Sequence, residues 1–174
     1  MSDIKSLIRT IEDFPSPGIH FRDITTLIED ADGFKQTIDE LVEKLNGVEV
    51  DAIVGAEARG FVFGAPMAYN MGKPFILIRK KGKLPGETVS EAYDLEYGTA
   101  TIEIHADSIK PGMKVAVIDD LLATGGTLKA SLNLVEKLGA EVVKVLCVIE
   151  LPALNGRKTL EGYDVDTLVT FDGD

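Results

Sequence analysis

The sequence predicts an α/β fold in which helices flank a twisted, mostly parallel sheet. Four apolar segments, at residues 51–55, 75–78, 115–118 and 142–149, have the length and composition of buried strands and do not alternate with polar residues. Segments with apolar residues three or four positions apart, as in an amphipathic helix, lie between strands. This arrangement is typical of a parallel sheet whose two faces are covered by helices.

The N-terminal third contains two predicted helices. Ser2 is followed by apolar residues at helical spacing up to Ile11, which predicts a short first helix that ends before the Pro- and Gly-rich segment 14–18. Apolar residues at helical spacing from Gly33 predict a second, amphipathic helix that ends near Gly47.

Two more helices and a hairpin are predicted farther along the chain. A Gly- and Ala-rich helix is expected over residues 60–71, with Pro66 marking its start or a kink. Another helix is expected over residues 128–138, between the last two strands. Apolar and polar residues alternate within 89–104 on both sides of Gly98, which predicts a β-hairpin that projects from the sheet.

The composition is that of a folded, acidic protein of 174 residues, with 18 Lys and Arg against 29 Asp and Glu and a formal net charge of −11 at pH 7. No linker or repeat divides it, so we expect one domain over residues 1–174. The negative charge disfavours nucleic acid and membrane surfaces as partners, since both attract basic proteins. No segment reads as a secretory signal or approaches the roughly 20 residues of a membrane-spanning helix, so a cytoplasmic location is expected. The single cysteine, Cys147, cannot close an intramolecular disulfide and is expected to be inert core.

The segment 115–127 carries the most informative pattern. It reads Val-Ala-Val-Ile-Asp-Asp-Leu-Leu-Ala-Thr-Gly-Gly-Thr, which predicts a buried strand that ends on Asp119 and Asp120, a small loop, and a helix that begins at about Thr127. Ligands of open parallel sheets bind beyond the carboxyl ends of strands. The N–H groups of a Gly-rich turn, two Thr hydroxyls and the positive end of a helix favour a monophosphate. Adjacent carboxylates favour the hydroxyls of a ribose, or a divalent cation held through water.

Phosphate and diol recognition together indicate a ribose 5-phosphate unit. The loop lacks the Gly-Lys-Ser/Thr of a triphosphate-binding loop, and no Gly-x-Gly-x-x-Gly opens a helix after a strand. The plainer alternative is that the two acids merely end a strand and the glycines merely make a turn.

These motifs resemble those of a known family. Hydrophobic residues followed by Asp-Asp-x-x-x-Thr-Gly-Gly-Thr are similar to the phosphoribosyl-diphosphate-binding motif of the type I phosphoribosyltransferases, and the string at 117–127 resembles their adenine phosphoribosyltransferase branch. Three further segments fit that branch. They are Phe-Pro-Ser-Pro-Gly-Ile-His-Phe-Arg-Asp-Ile at 14–24, Glu-Ala-Arg-Gly-Phe at 57–61, and Arg-Lys-Lys-Gly-Lys-Leu-Pro-Gly at 79–86 with Tyr-Asp-Leu-Glu-Tyr-Gly at 93–98.

The resemblance implies a type I phosphoribosyltransferase fold with a small N-terminal hood, which we define as residues 1–33. It also implies a purine salvage enzyme that forms AMP and pyrophosphate from adenine and 5-phosphoribosyl 1-diphosphate. Asp119 and Asp120 would bind the ribose hydroxyls, and the loop after them would bind the 5-phosphate. We call this loop the phosphate loop, and its residues are Ala123, Thr124, Gly125, Gly126 and Thr127.

Cations are expected around the pyrophosphate, because a diphosphate leaving group carries high negative charge. The resemblance assigns Arg59 to it, whereas local pattern also allows Arg59 to pair with Glu57 in a surface turn. Four of the 18 basic residues fall within five positions and form a candidate pyrophosphate clamp or, alternatively, a solvated loop. They are Arg79, Lys80, Lys81 and Lys83. Mg²⁺ is the expected cofactor, with no residue assigned as its protein ligand.

The resemblance places adenine against the hood and a lid over the site. The adenine-binding residues would be Ile19, His20, Phe21 and Arg22. The polar segment 81–96 would be a mobile lid that excludes water. Glu96 would be catalytic, either taking the N9 proton of adenine or stabilising positive charge as the glycosidic bond breaks. A homodimer is also implied.

Three alternatives are open from the sequence. A relative that uses another base, such as xanthine, would share the sugar-phosphate loop. A regulator could bind the sugar phosphate without turnover, and a generic nucleotide-binding domain could carry unrelated chemistry. The complete basic segment and Glu96 favour the enzyme.

Overall fold

The computed structural model describes residues 3–95 and 97–173, which form a seven-stranded sheet with helices on its faces and a two-stranded sheet in the hood. Short 3₁₀ helices lie at Ile4–Leu7 and Pro152–Leu154. The strands are β1 (Arg9–Glu12), β2 (His20–Asp23), β3 (Ala52–Ala56), β4 (Phe75–Lys80), β5 (Thr88–Leu95), β6 (Gly98–His105), β7 (Lys114–Leu122), β8 (Glu141–Glu150) and β9 (Val165–Thr170). The helices are α1 (Thr25–Ile28), α2 (Ala31–Glu43), α3 (Arg59–Met71), α4 (Gly126–Lys137) and α5 (Gly156–Thr159).

The large sheet has the strand order β5-β6-β4-β3-β7-β8-β9. The strands from β4 to β9 in this order run parallel to their neighbours, whereas β6 is antiparallel to both β4 and β5. The chain leaves β3 for β4 on one side and later returns as β7 on the other side, so the strand order reverses at β3. Such a reversal opens a crevice at the carboxyl ends of the two strands.

The predicted fold class is confirmed, and the four predicted strands are β3, β4, β7 and β8. The predicted end of β7 at the two acids is wrong, because the strand continues to Leu122. Asp119 is still paired with Cys147 and Leu122 with Glu150, so the ladder to β8 carries the acids inside the strand. The helix that follows begins at Gly126, one residue before the predicted start.

The predicted first helix is wrong after Leu7. A 3₁₀ helix ends there, and the next residues form β1, which is antiparallel to β2 and sets Ile11 opposite Phe21. A short helix is only marginally stable by itself, so the hydrogen bonds of a two-stranded ladder decide the structure here. Ser2, the predicted N-cap, lies outside the described residues, and the cap is Asp3, whose carboxylate accepts from the Lys5 N–H.

The sheet separates two apolar cores. Side chains of β7 point alternately into them, so that Val115 and Val117 pack with α4 while Ala116 and Ile118 pack with α2 and α3. Both faces of the central strands are therefore buried, which explains their uninterrupted apolar sequence. Cys147 is fully buried in the α4-side core, and burial raises the pKa of its thiol well above the ordinary value.

One strand departs from this pattern. In β4, Ile76 and Ile78 are buried, but Leu77 between them is 38% exposed. Within the described residues of one chain, one face of β4 is therefore only partly covered. The prediction that helices cover both faces of this strand is wrong. The hairpin predicted around Gly98 is present as β5 and β6, which extend the sheet beyond β4 as antiparallel strands with β5 at the edge. No helix within the described residues has the length and apolar character needed to cross a membrane.

Candidate active site

A cavity of about 470 Å³ lies at the carboxyl ends of β3 and β7. Its wall combines the turn after β3, the last residues of β7, the whole phosphate loop, Lys80 from β4 and Tyr93 from β5. These are the two strands between which the order of the sheet reverses, so the cavity occupies the place where open α/β sheets bind ligands.

The phosphate loop joins β7 to α4 and contributes all five of its residues to the cavity wall. Gly125 precedes the first residue of α4 and has a φ of 87°, a left-handed conformation that favours glycine. The first N–H groups of a helix have no partner within the helix, and the helix dipole adds positive potential there. The loop therefore offers an anion several N–H donors at the end of a twelve-residue helix.

The two acids of β7 stand beside the loop. Asp120 is buried, and its Oδ2 lies 2.8 Å from Nε of Arg59, the first residue of α3. Asp119 Oδ1 accepts a 2.8 Å hydrogen bond from the N–H of Asp120. Burial and then the charge of Asp120 raise the pKa of Asp119 well above its ordinary value. A hydroxyl donor or a cation between the two carboxylates would relieve this repulsion.

Arg59 does not pair with Glu57, so that alternative is wrong. Glu57 instead lies 3.2 Å from Nε of Arg79 and accepts a 2.6 Å hydrogen bond from the N–H of Lys80. Burial raises the pKa of Glu57, but the hydrogen bond from Lys80 and the charge of Arg79 outweigh it, and the pKa is lowered. Glu57 thus ties the end of β4 to the turn after β3.

The basic cluster is divided between the cavity and solvent. Lys80 lines the cavity, and Arg79 is half-buried against Glu57 just behind it. Lys81 and Lys83 are exposed in the turn after β4 and are not part of the cavity wall. The structure therefore brings Arg59 and Lys80 to one cavity and leaves Lys83 outside its wall.

The four hood residues predicted to bind adenine do not line this cavity. Ile19 is 45% exposed, and His20 begins β2. The Phe21 ring meets the exposed Phe14 ring edge to face at 5.3 Å, and the Arg22 guanidinium lies 4.5 Å from the centre of the Phe171 ring. The hood thus presents an aromatic surface of its own.

Glu96 lies outside the described residues. The described strand β5 reaches the site, because Tyr93 lines the cavity. Lys137 Nζ of α4 also donates a 3.0 Å hydrogen bond to the carbonyl of Ser90, so β5 lies against the helix that follows the phosphate loop. Tyr93 was not singled out by itself in the sequence, although it opens the motif at 93–98.

The acidic residues of the site bear on metal binding. In residues 3–95 and 97–173, no group of three or more His, Cys, Asp or Glu is placed to hold a metal ion. Three carboxylates line the cavity, and two of them, Asp119 and Asp120, are neighbours on β7, whereas Glu57 is bound to Arg79 and Lys80. Mg²⁺ keeps several waters and binds through one or two carboxylates together with substrate phosphates. The residues therefore fit a Mg²⁺ ion that is held mainly by a diphosphate substrate.

A polar network lies next to the loop at the carboxyl end of β8. The buried carboxylate of Glu150 accepts hydrogen bonds from Arg157 Nε at 2.8 Å and Nη2 at 3.0 Å, and from Thr167 Oγ1 at 2.9 Å. The hydrogen bond from Arg157 is the main cause that lowers the pKa of Glu150, against the opposing effect of burial. The sequence pattern does not indicate these residues, since the contacts join side chains that are 7 and 17 positions apart in the chain.

The Glu150→Gln variant is expected to lose about 2 kcal/mol of unfolding free energy at pH 7, because hydrogen bonds to a charged partner are the strong ones. A carboxyl group whose pKa is lower in the folded state stabilises the fold above its unfolded pKa, and this stabilisation is lost as pH falls through the folded pKa. The difference from wild type should therefore shrink below the ordinary value of 4.5. Urea unfolding from pH 7 to pH 3, with the exposed Glu141→Gln as control, measures it. A difference that stays constant with pH would contradict the assignment.

Comparison with known proteins relates the chain to one family. Residues 25–172 match the family described as the phosphoribosyl transferase domain. An adenine phosphoribosyltransferase from Agathobacter rectalis is 62% identical over 173 residues, which cover 99% of this chain and 99% of that protein. The matched family region contains Arg59, Asp119, Asp120 and the entire phosphate loop.

Two solved structures share the fold. The crystal structure of adenine phosphoribosyltransferase from Thermoanaerobacter pseudethanolicus has a TM-score of 0.94 at 51% identity, and the match covers 97% of this chain and 98% of that one. The enzyme from Saccharomyces cerevisiae, crystallised with adenine and D-2,5-dideoxy-2,5-imino-altritol 1,6-bisphosphate, has a TM-score of 0.90 at 39% identity. That match covers 95% of this chain and 96% of the yeast chain.

Proposed function

The chain belongs to the adenine phosphoribosyltransferases of the phosphoribosyltransferase family, and from this premise we infer that it forms AMP and pyrophosphate from adenine and 5-phosphoribosyl 1-diphosphate in purine salvage. The observation that carries this function is the single cavity wall that combines a phosphate loop, two acids and the side chains of Arg59 and Lys80. Phosphate, diol and diphosphate are the three features of the sugar substrate, and each has a complementary group there.

The sugar end of the substrate fits the β7 side of the cavity. The N–H groups and Thr hydroxyls of the phosphate loop would bind the 5-phosphate. Asp119 and Asp120 would accept hydrogen bonds from the two ribose hydroxyls. Arg59 Nε lies 2.8 Å from Asp120 Oδ2, so the guanidinium holds this carboxylate in place beside the loop. These contacts would fix the anomeric carbon between the leaving group and the incoming base.

The diphosphate fits the opposite side, where the cations lie. Arg59 and Lys80 line the cavity, Arg79 stands behind Lys80, and Lys83 would reach the diphosphate only if the exposed turn after β4 moves. Bond breaking gives the sugar oxocarbenium character while negative charge grows on the leaving group. Bound Mg²⁺ would supply electrostatic stabilisation of that growing charge. The guanidinium and ammonium groups act in the same direction.

Adenine is proposed to bind between the hood and the hairpin. The Phe14–Phe21 pair offers an aromatic face for a flat purine, and Ile19 to Arg22 offer backbone and side-chain groups for its edge. The yeast relative was crystallised with adenine, which supports a purine subsite in this fold. Closing of residues 81–96 over the site would exclude water and prevent hydrolysis of the activated sugar.

Glu96 is proposed as the group that accepts the N9 proton of adenine or stabilises the positive charge next to it. Glu96→Gln is expected to lower kcat about 30-fold, because an amide keeps the shape and the dipole but not the charge or basicity of the carboxylate. The KM of each substrate should change little. Steady-state kinetics measure both constants, with Glu40→Gln of α2, which does not line the cavity, as the control. Unchanged turnover in Glu96→Gln would remove the proposed role.

A homodimer is proposed from the uncovered side of β4. Leu77 is 38% exposed and Tyr69 of the adjoining α3 is 92% exposed, and a second copy would bury both in a two-fold contact. Sedimentation equilibrium should give twice the chain mass of 18.8 kDa. Tyr69→Arg should favour monomers, whereas Leu154→Arg, at another exposed apolar residue, should not. A monomeric wild type would contradict the proposal.

A cytoplasmic location is also proposed, since the buried Cys147 thiol is unpaired.

The assay for the whole function uses purified protein with Mg²⁺, 5-phosphoribosyl 1-diphosphate and one base at a time. AMP from adenine, with no nucleotide from hypoxanthine, guanine or xanthine, is the expected result, and removal of Mg²⁺ with a chelator should abolish it. Product from xanthine alone would contradict adenine as the substrate. Binding of the sugar diphosphate without product from any base would identify a sensor instead.

A further inference from the structure

The underside of the phosphate loop rests on a segment outside the family's sugar-phosphate motif. This segment, residues 150–159, begins at the carboxyl end of β8 and includes α5, and we call it the platform. The Leu151 N–H donates to the carbonyl of Leu122 at 2.9 Å, and Thr159 Oγ1 donates to the carbonyl of Thr124 at 2.8 Å. The chain is therefore held by the platform just before the phosphate loop, at Leu122, and at the second residue of the loop, Thr124.

Ala123, which lies between Leu122 and Thr124, is held by close packing against Gly156. A Cβ atom on Gly156 would lie 2.4 Å from the carbonyl oxygen of Ala123, so only glycine allows this approach. A Cβ on Gly125 would in turn lie 3.1 Å from the carbonyl oxygen of Gly156 and 3.1 Å from Cβ of Thr159. Three successive carbonyls, those of residues 122, 123 and 124, therefore face the platform.

This orientation decides where the N–H groups of the loop point. In a trans peptide group the carbonyl of one residue and the N–H of the next point in opposite directions. The N–H groups of Ala123, Thr124 and Gly125 consequently point away from the platform, and all three residues line the cavity. Among the described residues, the N–H groups of Thr124 and Gly125 donate no hydrogen bond. Successive N–H groups with a common direction form an anion-binding nest.

The platform is itself fixed in place. Arg157 binds Glu150 through two hydrogen bonds and donates a third, from Nη1, to the carbonyl of Val165 at 2.9 Å. Thr167 of β9 completes the coordination of the Glu150 carboxylate. The α5 turn is thus tied to both β8 and β9, which makes it a rigid support rather than a free surface turn.

We propose that Thr159 is a positioning residue for 5-phosphate binding, because its hydroxyl holds the Thr124 carbonyl toward the platform and thereby turns the Gly125 N–H toward the phosphate. The proposal rests on the proposed function, since it assigns the 5-phosphate to the loop. Thr159 does not itself line the cavity, so its effect passes through the loop backbone.

The test compares two ligands that we expect to bind at opposite sides of the cavity. Ribose 5-phosphate would occupy the phosphate loop, whereas pyrophosphate would occupy the basic side. Isothermal titration calorimetry with Thr159→Val should show ribose 5-phosphate bound roughly 3- to 10-fold more weakly, the range of one lost hydrogen bond, and pyrophosphate bound as in wild type. Thr159→Ser keeps a hydroxyl and should restore most of the affinity.

A matched control separates an effect on the position of the loop backbone from an effect on the stability of the protein. Thr37 of α2 also donates a 2.8 Å hydrogen bond to a backbone carbonyl, that of Gly33, and it is fully buried. Thr37→Val should lower Tm but leave the affinities for both ligands unchanged. Unchanged ribose 5-phosphate binding in Thr159→Val, or equal weakening of both ligands, would overturn the proposal. A wild type that binds ribose 5-phosphate but makes no AMP would contradict the proposed function alone.

Discussion

Gly125→Ala is expected to lower kcat/KM for 5-phosphoribosyl 1-diphosphate about 100-fold, because a misplaced phosphate loop misplaces the reacting carbon. Gly125 has a φ of 87°, which strains any residue with a Cβ, and the added methyl would press on Gly156 and Thr159 at 3.1 Å. The loop must move away from its support to relieve this contact. The KM for adenine should change much less, since adenine is not held by the loop.

Gly112→Ala is the matched control for this variant. Gly112 has nearly the same backbone conformation, with a φ of 89°, but nothing lies within 4 Å of the added Cβ. Both variants carry the left-handed strain of roughly 1 kcal/mol, so both should lose some stability. Only Gly125→Ala should lose activity. Equal kinetics for the two variants would contradict the role of the loop.

Asp120→Asn is expected to lower kcat/KM for the sugar diphosphate about 100-fold, through loss of a charged acceptor for the ribose hydroxyls and of the partner of Arg59. The side chain keeps its shape, so packing is preserved. Stability should fall by less than about 1 kcal/mol, because the ion pair to the half-exposed Arg59 is weak. The repulsion that raises the pKa of Asp119 is also removed.

Asp39→Asn is the control for charge removal. Asp39 is also in an ion pair, with Lys35 at 2.7 Å, but it lies on the exposed face of α2 away from the cavity. Steady-state kinetics and urea unfolding of both variants separate the effect of losing a carboxylate in the cavity from the effect of removing one negative charge elsewhere. Normal kinetics in Asp120→Asn would show that binding of the ribose hydroxyls does not depend on this carboxylate.

Elements with a strong local pattern were predictable from the sequence. The strands β3, β7 and β8 are buried on both faces, so their apolar runs identify them directly. The phosphate loop was predictable because glycines, hydroxyls and acids occur together next to a strand. All five loop residues and both acids do meet in one cavity.

Elements decided by distant contacts were not predictable in the same way. The segment after Leu7 has a helical apolar pattern but forms β1, since β2 supplies a ladder partner. In β4 the exposed Leu77 has no cover within the described chain, which an apolar sequence does not reveal. The platform depends on the Thr159 hydroxyl and the Thr124 carbonyl, 35 residues apart, so no local motif indicates it.

A crystal structure of the protein with bound ribose 5-phosphate tests most directly the claim that the loop between β7 and α4 holds the sugar phosphate. The account predicts the phosphate within hydrogen-bonding distance of the N–H groups of Thr124 and Gly125, with ribose hydroxyls at Asp119 and Asp120. Ribose 5-phosphate bound at another place, with the phosphate loop in contact only with water, would contradict it.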